Sequence, residues 1–262
     1  MIEAVINPKL WGYLVKAVGS VMTEMQLIFN PEGLTISQMS SDKSTMIGAK
    51  IPKSEFEQYD CSDERLIILN LDHVTKIAKR LSSASAVGFS FDENGPDSNL
   101  FQLVLNADDN KRVFDIPIFA PDEEYKRPNI PYDYVFDSEF QMKAGGFKSI
   151  IEDIQILAAR GKFIVDSNTL TVRGESDGSG ATVTYSVGKE LTSLEKNNDE
   201  LLSGVYSLKL LFDLCEALAD KKELIMVKLS HNKPMWIELA VGDNSKLILM
   251  LSPILDRRMS DK

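Results

Sequence analysis

Near the middle of the chain lies the stretch Pro117-Ile118-Phe119-Ala120-Pro121-Asp122-Glu123-Glu124-Tyr125-Lys126-Arg127-Pro128-Asn129-Ile130-Pro131-Tyr132. Four of these sixteen residues are proline, which lacks a backbone N–H and restricts the preceding residue to extended conformations. A regular helix is therefore excluded, and the length is typical of a connector. We predict a connector over residues 117–133 between domains at 1–116 and 134–262.

The sequence on either side of the connector carries one pattern twice. One echo pairs Gly33-Leu34-Thr35-Ile36-Ser37 with Thr169-Leu170-Thr171-Val172-Arg173, at an offset of 136 residues. The other pairs Asn70-Leu71-Asp72-His73-Val74-Thr75-Lys76-Ile77 with Ser207-Leu208-Lys209-Leu210-Leu211-Phe212-Asp213-Leu214, at an offset of 137. Two echoes in the same order, at nearly one offset, predict duplicated domains.

Length and composition indicate a soluble globular protein. The 262 residues suit two domains, with 44% hydrophobic and 26% charged residues. No apolar run approaches the roughly 20 residues that span a bilayer, and the start Met1–Ile6 lacks the features of a signal peptide. The cysteines, Cys61 and Cys215, fall one in each predicted domain, so we expect a reduced, intracellular compartment without disulfides.

Hydrophobic periodicity predicts two helices per domain. Apolar residues at helical spacing place these helices at about 8–22, 72–81, 144–158 and 208–219. Short alternating runs predict strands in the first domain at 25–29, 34–39, 45–51, 65–69, 86–91, 100–105 and 111–116. In the second domain they predict strands at 134–137, 163–165, 169–174, 181–187, 204–207, 225–230, 235–241 and 246–251, followed by a polar tail at 256–262. Because strands outnumber helices and mostly join by short turns, we expect an α+β fold, with antiparallel sheets and both helices of a domain packed on one face.

The charge distribution is uneven. The net charge of −10 argues against nucleic-acid binding, which depends on Lys and Arg. The predicted helical segments, however, carry charges of +2, +2, +1 and 0, which leaves −15 for the remainder: these segments are 7–22, 71–81, 143–160 and 207–222. Such a pattern would direct a polyanion to the helices. On sequence alone, these cations equally suit solvated outer helix faces.

Catalytic motifs are not recognisable. Neither His73 nor His231, the only histidines, accompanies a nucleophile motif, and no zinc-protease, paired-cysteine or calcium-loop motif occurs. The Gly-rich stretch 174–181 lacks the Gly-Lys-Ser/Thr ending of a phosphate loop and predicts a hairpin turn. We expect no enzyme, catalytic residue, metal or cofactor. The alternative of another class is an enzyme of unknown substrate with a carboxylate-bound metal among its scattered acidic turns.

Four stretches carry a family resemblance over essentially the whole chain. They are Pro31-Glu32-Gly33-Leu34-Thr35-Ile36-Ser37-Gln38-Met39, Leu69-Asn70-Leu71 ahead of Lys76-Ile77-Ala78-Lys79, Asn129-Ile130-Pro131, and Leu251-Ser252-Pro253. In order and spacing the chain resembles the archaeal and eukaryotic DNA sliding clamp, proliferating cell nuclear antigen (PCNA). The resemblance implies two duplicated clamp domains, with sheets outside and helices inside, and three subunits closed head to tail around duplex DNA.

The resemblance also implies sequence-independent contacts with DNA. The motif match assigns them to Lys76 and Lys79, and helix position adds Lys16 and Arg80. Where the family often has basic residues on the third helix this chain has Glu152, and the fourth helix carries Asp213 and Ala217. Contact there would shift to other cations, with Lys148 and Lys209 foremost in the set Lys143, Lys148, Arg160, Lys209, Lys221 and Lys222.

The ring implied by the resemblance pairs the strand Lys111–Ile116 of one subunit with Ala181–Val187 of the next. Such a heterologous contact closes a ring and covers exposed strand edges. The implied interface residues are Lys111, Arg112, Val113, Phe114, Ala181, Thr182, Val183 and Tyr185. The alternative is two ordinary sheet edges protected by their own charges.

Family clamps also bind short partner motifs that carry a glutamine and a hydrophobic-aromatic plug. The matching residues here are Met39, Lys43, Ser44, Pro128, Ile130, Pro131, Pro234, Met250, Leu251, Ser252 and Pro253. An exposed Ile130 and Met250 beside prolines would form an apolar socket for an aromatic anchor. On the residues alone, the pattern favours the alternative that both side chains pin the connector to its domain; the resemblance favours the socket.

The implied function is that of a processivity factor in replication and repair. Its partners would be DNA polymerase, an ATP-driven clamp loader, flap endonuclease and DNA ligase, with no membrane, in an archaeal cytoplasm or a nucleus. The alternative within the fold is a checkpoint-type clamp subunit with other partners. Both a homotrimer and a heterotrimer of paralogues satisfy the sequence.

Overall fold

The chain passes twice through one order of secondary-structure elements. The structure is a computed structural model that describes residues 1–107, 109–121, 127–197, 201–217 and 223–255, the side chain of residue 217 excepted. The first pass comprises β1 (Ile2–Ile6), α1 (Pro8–Gly19), β2 (Glu24–Asn30), β3 (Gly33–Met39), β4 (Thr45–Pro52), β5 (Phe56–Cys61), β6 (Arg65–Asn70), α2 (Leu71–Ala78), β7 (Ala86–Phe91), β8 (Leu100–Ala107) and β9 (Asn110–Pro117). The second comprises β10 (Ser138–Lys143), α3 (Ala144–Gln155), β11 (Arg160–Val165), β12 (Thr169–Ser176), β13 (Ser179–Ser186), β14 (Leu191–Lys196), β15 (Leu202–Ser207), α4 (Leu208–Ala217), β16 (Leu224–Leu229), β17 (Met235–Ala240) and β18 (Lys246–Leu251).

The order of the strands in the sheets is duplicated as well. The first pass places its strands in the orders β5-β1-β7-β8-β9 and β4-β3-β2-β6, and the second in the orders β14-β10-β16-β17-β18 and β13-β12-β11-β15. Adding nine to each strand number of the first pass gives the second, and the strand pairs are antiparallel. The α+β fold and the predicted duplication are therefore confirmed.

Two compact units follow the two passes. Unit 1 comprises the described parts of Met1–Ser40, Ile47–Ile130 and Ala240–Leu247. Unit 2 comprises the described parts of Ser41–Met46, Pro131–Leu239 and Ile248–Lys262. The domain bounds at 116/117 and 133/134 stay a prediction.

Helix starts in unit 1 follow from side-chain caps. The Asn7 side-chain oxygen accepts a hydrogen bond from the Lys9 amide at 2.8 Å, with Pro8 at the first helical position of α1. The Asn70 side chain accepts one from the Asp72 amide at 2.9 Å and begins α2 in the same way. Each cap satisfies an amide that has no partner inside its helix.

Aromatic side chains form the centre of each core. In unit 1 the Phe89 ring lies 4.8 Å from the Trp11 ring and 5.8 Å from the Phe101 ring, between centroids. In unit 2 the Phe163 ring lies 6.0 Å from Phe147 and 5.8 Å from Tyr206. Such pairs stabilise a core by about 0.5–1.5 kcal/mol each beyond the burial of their area. Burial also raises the pKa of the Tyr206 hydroxyl.

Several sequence expectations are corrected by the structure. The helices α1, α2 and α3 each end three residues earlier than predicted, so Leu157, which the predicted span 144–158 included, lies outside α3 and is 40% exposed. The predicted strand 134–137 is irregular, because Phe136 packs on Tyr134 and Trp236 at 4.6 and 5.8 Å; the strand begins at Ser138. Three strands had no predicted counterpart: β1, β5 and β14. The predicted polar tail 256–262 lies outside the described residues.

The hairpin turn predicted from the Gly-rich stretch is confirmed. The stretch 174–181 is a hairpin between β12 and β13, whose two turn residues Asp177 and Gly178 have φ of 49° and 82°. Both Cys61 and Cys215 are buried free thiols, and burial raises the pKa of Cys215 to about 12. Among the described residues, no helix has the length and apolar character needed to cross a membrane.

The turn between β2 and β3 generates a prediction about stability. Gly33 has a φ of 140°, and a Cβ there would lie 2.1 Å from the Ile51 carbonyl oxygen. We expect Gly33→Ala to lower the free energy of unfolding by about 3 kcal/mol or more, since both the φ and the backbone clash oppose it. Urea unfolding measures this loss.

Gly178→Ala is the matched control. Gly178 also has a positive φ, but no atom lies within 4 Å of its would-be Cβ. We expect a loss of only about 1–2 kcal/mol, the cost of a left-handed alanine. Equal losses in the two variants would contradict the assigned role of the backbone clash.

Candidate functional site

Four cations form one basic surface on the helices of unit 1. Lys16 lies in the last turn of α1, Lys76 in the last turn of α2, and Lys79 and Arg80 follow directly. All four are exposed. We call these four residues the unit 1 basic surface.

Close packing of α1 on α2 brings these cations together. A Cβ at Gly19 would lie 3.6 Å from both Leu71 Cδ2 and Thr75 Oγ1, and one at Gly12 would lie 3.4 Å from Leu81 Cδ1. Lys16 follows Gly12 by four residues and therefore shares its helix face. The glycines let α1 approach α2 closely enough for Lys16 to join the α2 cations on one surface.

The electrostatics of the unit 1 basic surface favour binding of an anion from outside the chain. Lys76 and Lys79 lie at the carboxyl end of α2, where the helix dipole stabilises positive charge. The structure gives none of the four cations an ion pair with another described residue. These four exposed cations are therefore open to an external anion, and their contact with DNA stays a prediction.

The helices of unit 2 hold their lysines in ion pairs. Lys148 on α3 contacts the Glu216 carboxylate of α4 and lies 3.6 Å from Glu152 on its own helix. Its ammonium also lies 5.4 Å from the centre of the Phe212 ring. The hydrogen bond to Glu216 raises the pKa of Lys148. Lys148 thus links α3 to α4 through an ion pair.

Other predicted cations of unit 2 are also occupied. Lys209 pairs with Asp213 one turn further on α4 at 2.9 Å, and Lys143 pairs with Glu190 at 3.3 Å. Arg160 is engaged as well. Lys221 and Lys222 lie outside the described residues. Sequence reasoning missed Glu216 as a partner because it lies 68 residues from Lys148.

The strands expected at the subunit interface lie at sheet edges. β9 is the last strand of the order β5-β1-β7-β8-β9, and it presents Lys111 and Val113, the latter 46% exposed. Arg112 is half-buried and donates a hydrogen bond to Ser83 Oγ at 2.8 Å, and Phe114 is also half-buried. Exposed backbone on such an edge invites pairing with another strand.

The second edge strand, β13, ends the order β13-β12-β11-β15 in unit 2. Its Thr182 is exposed, and its other predicted interface residues, Ala181, Val183 and Tyr185, are half-buried. Burial, Glu190 and Asp153 together raise the pKa of Tyr185. The carboxyl end of α3, which packs beside β13, adds an apolar patch that the sequence did not indicate: Ile156 is 77% and Leu157 40% exposed.

The predicted peptide-binding residues of unit 1 divide by exposure. Met39 is the last residue of β3 and is 41% exposed. The Ser37 hydroxyl donates a hydrogen bond to the Pro128 carbonyl at 2.5 Å and ties the connector down. Ile130 is only 4% exposed, so the expectation of an exposed isoleucine is wrong: the tethered connector carries its side chain into the core.

The predicted peptide-binding residues of unit 2 centre on a short loop. Lys43 is exposed, with a φ of 57°, and the Ser44 carbonyl accepts a hydrogen bond from the Ser252 amide at 2.8 Å. Met250 is half-buried and Leu251 is 1% exposed. Pro131 is exposed, whereas Pro234 and Pro253 are half-buried. The structure therefore joins the loop to the segment after β18.

The described residues include both histidines and other side chains of the types that bind metals. No group of three or more His, Cys, Asp or Glu side chains that could hold a metal ion occurs in those ranges. His73 and His231 are both exposed, and His231 contacts only Asn232 through its ring.

Comparison with known proteins adds a family match and a shared fold. Residues 1–124 match the family model described as proliferating cell nuclear antigen, N-terminal domain. The DNA polymerase sliding clamp of Pyrococcus abyssi is 23% identical over 246 residues, which cover 94% of either chain. The family model thus covers the N-terminal part of the chain, and the similarity to the relative covers nearly all of it.

Solved structures share the fold. PCNA from Thermococcus kodakaraensis has a TM-score of 0.85 at 17% identity, with 97% of this chain and 100% of that chain covered. A. fulgidus PCNA bound to the C-terminal region of FEN-1 gives 0.82 at 20% identity, with 98% and 99% covered. A PCNA2–PCNA3 complex from Sulfolobus tokodaii gives 0.80 at 19%, with 96% and 98% covered. The chain is therefore similar to the N-terminal domain of proliferating cell nuclear antigen over residues 1–124, and it shares its fold with solved PCNA structures over nearly its whole length.

Proposed function

We propose that this chain is the subunit of a ring-forming DNA sliding clamp. The ring encircles duplex DNA and tethers DNA polymerase, clamp loader, flap endonuclease and ligase in an intracellular compartment. The observation that carries the proposal is the unit 1 basic surface, which lies unpaired on packed helices of a protein whose net charge is −10. The relatives are named as sliding clamps of DNA polymerase, which supports the same function.

The work of such a clamp is mechanical. A closed ring holds its partner on DNA even when each phosphate contact is weak, so no catalytic residue is required. Lysines on flexible stems suit sliding, because a point charge meets phosphates without reading base edges. We therefore propose a non-enzymatic processivity factor that is indifferent to sequence.

Ring closure would use the two edge strands. We propose that β9 of one subunit pairs with β13 of the next, with Val113 and Tyr185 in the contact. Support comes from the sheet edges themselves and from the exposed apolar residues Ile156 and Leu157 beside β13. A complex of two PCNA proteins among the structural neighbours supports association between subunits of this fold.

Partner binding would use the residues that match the family motif. We propose that Met39 supplies an exposed apolar contact and that the loop at Lys43 and Ser44, with Ser252, supplies polar contacts. Support comes from the exposure of Met39 and the hydrogen bond between that loop and Ser252. The A. fulgidus relative binds a C-terminal region of FEN-1, a short partner segment of the proposed kind.

Assembly can be tested at β9. We expect sedimentation of the purified chain to give a mass of three times 29.2 kDa. Val113→Asp should dissociate the trimer, because the substitution buries an unpaired charge at the proposed contact. Val135→Asp, at a residue that is 80% exposed and outside the edge strands, should leave the mass unchanged. A monomeric wild type at every concentration would refute a ring of identical subunits.

DNA contact can be tested on α2. Lys76→Ala with Lys79→Ala should weaken binding to duplex DNA about tenfold at low salt and reduce the slope of log affinity against log salt by about 2. Polymerase stimulation should fall while the assembly mass stays constant. The control, Lys53→Ala with Lys233→Ala, removes equal charge from exposed residues. Equal losses in both variants would remove α2 from the DNA contact.

Peptide binding can be tested at Met39. We expect Met39→Glu to weaken a fluorescent peptide, carrying a glutamine and an aromatic plug, by tenfold or more, because a charge replaces the apolar contact. Leu224→Glu, at a residue of similar exposure on β16, is the control and should bind normally. Unchanged affinity in Met39→Glu would exclude Met39 from the peptide site.

A further inference from the structure

We propose that unit 1 supplies the main phosphate contacts of each subunit, and that three carboxylates of unit 2 withhold Lys148 and Lys209 from DNA. These carboxylates are Glu152, Asp213 and Glu216. The inference rests on the proposed sliding-clamp function and reassigns two lysines that sequence reasoning had counted as DNA contacts.

The surroundings of Lys148 carry the first step. Its ammonium pairs with Glu216 on the neighbouring helix, lies 3.6 Å from Glu152 and sits over the Phe212 ring. Its side chain is only 20% exposed. A phosphate would have to break this group of contacts, which join α3 to α4, before the lysine reached it. Partly buried pairs are also screened less by salt than exposed ones.

Lys209 requires a second argument, because its side chain is 81% exposed. An exposed pair at one helical turn contributes little by itself, so the 2.9 Å contact with Asp213 does not immobilise the lysine. The net charge of the two helices instead determines how strongly a phosphate is attracted. Each cation on these helices has at least one acid beside it, and the field that a phosphate meets is the sum of both.

The balance of charge differs between the helix pairs. In unit 2, each helix carries one lysine and two carboxylates. These are Lys148 with Glu152 and Asp153 on α3, and Lys209 with Asp213 and Glu216 on α4, so the two helices together have a net charge of −2. In unit 1, α1 carries only Lys9 and Lys16, and α2 with its following two residues carries three cations against Asp72, which gives +4. With the flanking residues of segments 143–160 and 207–222 included, unit 2 totals +1 against +4 for segments 7–22 and 71–81, so a polyanion is attracted more strongly to the helices of unit 1.

Binding of a short duplex at several salt concentrations tests the inference. Two charge-neutral variants, Lys148→Ala with Glu216→Ala and Lys209→Ala with Asp213→Ala, remove a lysine together with its partner. Both should bind within about twofold of wild type, whereas Lys76→Ala with Lys79→Ala should lose about tenfold. The mass in solution confirms that each variant is still assembled.

A second experiment tests whether removing the carboxylates raises the affinity for duplex DNA. Glu152→Gln with Glu216→Gln releases Lys148 and should strengthen duplex binding about threefold or more, with a salt slope steeper by about 1. The matched control, Glu57→Gln with Asp60→Asn, makes the same charge change on β5, where both residues are exposed. It should remain within about twofold.

The outcomes separate the two proposals. A loss in the charge-neutral variants equal to that of the α2 variant would overturn this inference while leaving the clamp intact. No difference between the gain variant and its control would overturn it as well. A wild type that binds no duplex at any salt concentration would overturn the proposed function and this inference with it.

Discussion

The structure depends on a simple constraint: each helix buries one face against its sheets and leaves the other for solvent or ligand. In α1 the buried face is Leu10, Trp11, Leu14, Val15, Ala17 and Val18, and in α3 it is Ala144, Gly146, Phe147, Ile150, Ile151 and Ile154. The two faces are equally apolar in kind, so packing does not distinguish the units. Function is determined by the remaining residues, which packing leaves unconstrained.

The duplication therefore gives both units the same arrangement of strands and helices, but not the same charges on their helix surfaces. Both passes use the same strand order, and each packs two helices against each other. In unit 1 the described residues offer no ion-pair partner to Lys16, Lys76, Lys79 and Arg80, whereas in unit 2 the helices carry ion pairs. The same architecture thus supports an attractive surface in one unit and a neutralised one in the other.

Much of this arrangement could be predicted from local sequence. Helix existence and the grouping of Lys76 with Lys79 follow from spacing within one turn, and caps such as Asn70 mark the start. The partner of Lys148 could not be predicted, because Glu216 becomes its neighbour only when α3 packs on α4. The prediction that Ile130 is exposed was wrong for a similar reason. A hydrogen bond from Ser37 to Pro128, 91 residues apart in sequence, holds the connector in the position that buries Ile130.

The two buried thiols have a practical consequence for chemical labelling. A maleimide reacts with an exposed thiolate, and both native cysteines are shielded, with the pKa of Cys215 raised to about 12 by burial. A cysteine introduced at an exposed position would therefore be the one modified, without prior removal of Cys61 or Cys215. A single fluorophore per chain would then report motion along DNA from an otherwise native protein.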